Sequence, residues 1–102
     1  MTPKKKLHPA RQSIADAWPE DVVAELRFAD GFDDAIMGIA HVWDSSGTRR
    51  HVVLYDYAKC REILLTDPDV DDEAVDEHLE FNVLGSYVGP GTPAYAYLLE
   101  TP

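Results

Sequence analysis

AIMGIAHVWDSSGTRRHVVLYDYAKCREILL, residues 35–65, decides the fold. Two runs rich in β-branched and aromatic residues, AIMGIAHVWD and RRHVVLYDY, flank the turn SSGT. Such side chains suit a pleated surface, so the pattern predicts two strands in an antiparallel hairpin. Centring the turn on Ser46 and Gly47 pairs Asp44 with Arg49. Ile39, His41, Trp43, Val52 and Leu54 then share one face, and His41 and His51 fall on opposite faces. A one-residue slip would exchange the faces. Asp56 is placed to cap a following helix, YAKCREILLT, whose apolar side is Tyr57, Cys60, Ile63 and Leu64.

Downstream, DPDVDD ends that helix, with Pro68 as the stop. A second helix is predicted from Asp72 to Val88, capped by Asp71 and closed by Gly89 and Pro90. PAYAYLLE is a last short strand, predicted to complete a three-stranded antiparallel sheet. Upstream, WPEDVVAELRFAD has a helix start: Pro19 suits the first turn, and Glu20 and Asp21 complement its dipole. Val22, Val23, Leu26 and Phe28 form its buried side, VVAELRF also fits a strand, and Gly31 supplies a break. Residues 1–15 are expected to be a flexible basic tail, with Pro3 and Pro9 breaking any regular element. The remainder, 16–102, is one α/β domain of the α+β type. Its order is α-β-β-α-α-β, with helices on one face of a small antiparallel sheet.

With 45% hydrophobic and 27% charged residues, the chain is expected to fold rather than stay disordered. The run of apolar residues and glycine from Ala35 to Ala40 is too short to span a bilayer, and no apolar signal core follows Lys4, Lys5 and Lys6. A single cysteine excludes an internal disulfide and fits a reducing cytoplasm. The net charge of −10 is uneven: after Arg61 there is no Lys or Arg, while ten Asp or Glu follow. A body of that charge repels nucleic acid, whose binding needs cations, and attracts basic protein surfaces.

Those late carboxylates are ordered. On a helix, Glu73, Asp76, Glu77 and Glu80 stand at i, i+3, i+4 and i+7 and form one stripe. Val75, Leu79, Asn82, Val83 and Ser86 lie on another line. Phe81, Leu84 and Val88 add to Val83 and Tyr87, so apolar groups nearly surround the second half, which is expected to be buried and the first half at the surface. Asp71, Asp72 and Glu73 complement the helix dipole, but Asp76, Glu77 and Glu80 repel one another with no Lys or Arg nearby in sequence. The stripe, helped by Asp69, Asp71 and Asp72, is therefore the candidate partner-binding surface, set against an ordinary solvated face.

Catalytic and metal signals are weaker. No HExxH pattern surrounds His78, and no Cys pairs with the histidines. Cys60 sits on an apolar line, where it packs as a small hydrophobe. VGPGTPAY lacks the ending of a phosphate-binding loop. Asp30, Asp33, Asp34, Asp44 and Asp56 have the chemistry to bind a divalent ion for hydrolysis, but turns and caps explain them as well. No catalytic residue, metal ligand or cofactor is assigned.

GFDDAIMGIA, VVLYDYAKCREIL and EAVDEHLEFNVLGSYVGPGTP together cover roughly residues 31–93. On these blocks the chain resembles a family of small proteins from bacteria and their phages. The resemblance implies a phage or mobile-element setting, and makes Asn82, Gly85, Gly89 and Tyr55-Asp56 part of the fold's architecture. It implies no catalytic residues. The expected function is non-enzymatic: an acidic protein that engages a basic, nucleic-acid-handling or defence protein of the host by charge mimicry, as an inhibitor. The alternatives are a self-assembling structural module, a homo-oligomer whose acidity serves solubility, and a small metal-dependent hydrolase.

Overall fold

The computed structural model describes residues 7–80 and 91–99. Its elements run α1 (Pro9–Ala17), α2 (Glu20–Glu25), a 3-10 turn (Asp33–Ala35), β1 (Ile36–Trp43), β2 (Arg49–Asp56), α3 (Tyr57–Leu65), α4 (Val75–His78) and β3 (Ala94–Ala96). The protein is of the α+β class, with a three-stranded sheet in the order β1-β2-β3. No described helix is long and apolar enough to cross a membrane.

The expected tail is helical from Pro9 onward. Proline at the first helical position lacks an N–H that would have no partner there, so Pro9 opens α1 instead of breaking it. The His8 ring accepts from the Ala10 N–H at 3.1 Å and caps the new end. Helix α2 confirms the helical alternative for VVAELRF over 20–25 and stops at Leu26, which is extended and buried.

The hairpin forms in a register one residue away from the expected one. Ile39 faces Val53, Ala40 faces Val52, His41 faces His51 and Trp43 faces Arg49. The cause is the loop. Asp44 accepts from Gly47 N–H at 3.0 Å and donates its own N–H to Thr48 at 2.9 Å, so three residues, Ser45 to Gly47, make the turn. Gly47, at φ 82°, takes the left-handed position that ends such a loop. The Asp44 carboxylate reinforces it, accepting from the Ser46 and Thr48 N–H groups at 2.9 Å each. The expected Asp44–Arg49 pair is replaced by Arg50 Nε on Asp44 Oδ2 at 2.7 Å. Ile39, His41 and Trp43 therefore share a face with Val53, His51 and Arg49, not with Val52 and Leu54.

The third strand is parallel to β2, pairing Leu54 with Ala94, Tyr55 with Tyr95 and Asp56 with Ala96. The sheet is thus mixed, not antiparallel. The connection from Asp56 to Ala94 carries α3 and α4, the long crossover that a parallel pair requires. On one face, Val53 and Tyr55 join Ile14 of α1, Leu26, Phe32, Ala35, Tyr57 and Cys60 of α3, and Leu79 in one buried cluster. The helices contribute to that face. Val52, on the opposite face, is buried as well and stands outside this cluster.

The predicted 72–88 helix begins later, at Val75, after a turn over 72–74. Asp71 is not its cap: Ala74 stands at the N-cap without a side-chain bond, and Asp71 Oδ1, accepting from Ala74 N–H at 2.8 Å, braces the turn that precedes the helix. The rest of that helix, with Asn82, Gly85 and the Gly89–Pro90 stop, lies outside the described residues.

Candidate binding surface

The acidic surface is built by the end of α3 and the short helix after it. Helix α3 starts where Asp56 Oδ1 accepts from Ala58 N–H at 3.0 Å, and Thr66 ends it. The chain then turns through the link, where Asp67 Oδ1 accepts from Asp69 N–H at 2.9 Å and Val70 N–H bonds back to Asp67. Val75 and Leu79, one turn apart, are both 0% exposed. They press α4 against the protein by one side, so Asp69, Asp71, Asp72, Glu73, Asp76, Glu77 and Glu80 are all exposed. The expected division between an apolar line and an acidic surface is present over 71–80.

The acidic residues are not equivalent. Arg61 Nε and the Tyr57 hydroxyl both donate to Asp76 Oδ1 at 3.1 Å, and Arg61 Nη2 reaches the Asp72 carbonyl at 3.5 Å. Asp76 thus ties α4 to α3. Burial and the adjacent carboxylate raise the Tyr57 hydroxyl well above the ordinary phenol range. Tyr97 stacks on Tyr57 with ring centroids 4.4 Å apart, and its hydroxyl donates to Glu80 Oε1 at 3.5 Å. These three residues, Arg61, Tyr57 and Tyr97, were missed as neighbours of the stripe because they come from 15 to 19 positions away in sequence. Asp71 braces the turn before α4. Among the described residues, the carboxylates of Asp69, Asp72, Glu73 and Glu77 meet no cation.

The carboxylates weighed for a hydrolytic metal centre are dispersed and engaged elsewhere. Asp33 accepts from Arg11 Nη2 at 2.9 Å, and Asp30 stands 4.0 Å from the same guanidinium. Asp34 meets His8 at 2.6 Å, Asp44 organises the hairpin loop, and Asp56 caps α3. Bonds from Ser46 and Arg50 hold the Asp44 carboxyl well below the usual carboxylate range. Among the described residues no three of His, Cys, Asp or Glu converge as metal ligands. Cys60 is 0% exposed, and burial pushes its thiol up to about 11, which leaves it a neutral core side chain at ordinary pH.

His41 and His51 are a correction of another kind. The observed register places them on the same face, with ring centroids 4.1 Å apart and the planes at 89°. The Trp18 ring lies 5.1 Å from His51 and 6.3 Å from His41. Comparison with known proteins finds no family model, no curated protein and no solved structure that matches this chain.

Proposed function

We propose that the chain is a non-enzymatic binding protein of the cytoplasm whose acidic segment, Asp67 to Glu80, engages a basic surface on another protein. The observation that carries this reading is a continuous exposed run of carboxylates held in place from beneath by Val75 and Leu79. Arg61 offsets the charge of Asp76 and leaves Asp69, Asp72, Glu73 and Glu77 facing solvent. Such a surface steers a cationic partner and fixes its register more than it adds raw affinity. A groove that normally takes a phosphate backbone has matching chemistry. A nucleic-acid-handling or defence protein of a host is thus the proposed target, inhibited by charge mimicry in the phage or mobile-element setting that the resemblance implies.

The test is an affinity capture from host lysate with wild type, with Glu73, Glu77 and Glu80→Gln plus Asp76→Asn, and with Asp76→Asn alone. The quadruple variant removes four charges with little change of shape. Capture of a basic nucleic-acid-binding protein by wild type, its loss in the quadruple variant, and its retention by Asp76→Asn are expected. Capture should weaken by roughly tenfold or more as salt rises through a range that shortens the Debye length from about 10 Å to about 3 Å. Identical capture by wild type and the quadruple variant, or binding indifferent to salt, would sink the proposal.

A self-assembling module is the second reading, favoured by β1, which is an edge strand of the sheet among the described residues and on which Met37 and Trp43 are exposed. A defined oligomer in light scattering, unchanged by the quadruple substitution, would support it instead.

A further inference from the structure

The cross-strand pair of histidines has no role in the acidic surface. His41 and His51 sit directly opposite each other on β1 and β2. Their rings are edge-to-face at 4.1 Å, and neither is held by a protein hydrogen bond among the described residues. His41 is exposed and His51 half-buried, so solvent reaches the pair, while the Trp18 ring walls one side. Facing residues on antiparallel strands have Cβ atoms about 4.5–5.5 Å apart, a span over which two imidazoles reach one point.

We propose that His41 and His51 form a two-imidazole site for a divalent transition-metal ion of the zinc, nickel and copper class. Neutral imidazole is the nitrogen donor those ions prefer. Two nitrogens each about 2 Å from one ion in tetrahedral geometry lie about 3.3 Å apart. With ring centroids 4.1 Å apart, the two imidazoles are close enough for side-chain rotation to aim one nitrogen of each at a shared ion. No third protein ligand converges there among the described residues, so water completes the coordination. The site is therefore an open one, accessible to an exogenous ligand, unlike a closed structural centre. Its ligands are separate from the carboxylates of 67–80.

Calorimetric titration of the full chain with Zn²⁺, in buffer at physiological salt, tests this. One ion per chain is expected in wild type, together with a Zn²⁺-dependent rise in Tm. Either His41→Gln or His51→Gln should weaken binding by roughly tenfold or more, at least the effect of losing a ligand's supporting partner at a metal site. The exposed position of His41 leaves its variant folded even where the His51 variant suffers. A second readout uses Ni²⁺ in a Trp43→Phe background, where the remaining Trp18 fluorescence should be quenched with the same midpoint. Glu73→Gln with Glu77→Gln should leave the titration unchanged. Absence of binding, or binding that persists in the double histidine variant, would overturn the proposal; the latter would place the ion on other side chains.

Discussion

The Tyr55 side chain shows how a single atom joins separate parts of the fold. It is 0% exposed, stacks on Tyr95 at 5.5 Å across the parallel pair, and its hydroxyl accepts from the Ala29 N–H at 2.7 Å. That bond pins the chain after α2 to the central strand. Tyr55→Phe keeps the ring packing and strips the half-buried amide of its partner. Leaving such a donor unmet costs about 1–3 kcal/mol. Urea denaturation should therefore show Tyr55→Phe destabilised by about 1–2 kcal/mol with an unchanged m-value, the mark of a native-state loss. Asp44 acts in the same way at the surface, since one carboxylate serves two loop amides, a hydroxyl and Arg50. Legibility at this scale was mixed. Cys60 as a small hydrophobe and Asp56 as a cap follow from local chemistry, whereas Tyr55 on Ala29 joins residues 26 apart.

At the scale of elements, the ends of helices follow short-range rules and the faces of strands do not. Helix α3 begins at Asp56, whose extended backbone and side-chain bond to Ala58 make a standard N-cap. Asp56→Ala should lower stability by about 1 kcal/mol in chemical denaturation, and Asp56→Asn by only a few tenths, because the amide oxygen still caps. The hairpin teaches the opposite lesson. Its strands were legible, but its register hung on whether the loop holds two residues or three. Asp44 at the first position and Gly47 at the fourth are the preferences of a type I turn, and that signal points to the three-residue loop. Choosing two residues moved every side chain of β2 to the wrong face and separated His41 from His51. Helix α4 was legible in its acidic and apolar sides; Arg61 and Tyr57, arriving from α3, and Tyr97 were hidden.

For the whole molecule the dominant quantity is the net charge of −10. Among the described residues, ion pairs tie Arg11, Arg50, Lys59 and Arg61 to carboxylates, so four of the six arginines and lysines there are already engaged. The surplus negative charge repels itself, and exposed pairs return little, about 0–1 kcal/mol each. Salt should therefore stabilise the fold. Raising NaCl from about 20 mM to about 300 mM screens the repulsion, and relief of about 0.5 kcal/mol moves Tm by roughly 2–4 °C in a domain of this size. A thermal melt that falls or stays level over that range would show that the local pairs outweigh the overall field.

The sequence by itself determined what depends on neighbours within a few positions. It placed the strands of 36–43 and 49–56, the cap at Asp56, the α+β class, and the exposed carboxylates opposite Val75 and Leu79. Propensity, capping and side-chain period act over one or two turns, so composition carries them. Only the tertiary structure decided the direction of β3, the tie of Arg61 and Tyr57 to Asp76 and the meeting of His41 with His51. A strand as short as Ala94–Ala96 has no orientation written in its residues; the crossover from α3 and α4 sets it. Contacts between residues far apart in the chain exist only once packing has fixed which faces meet.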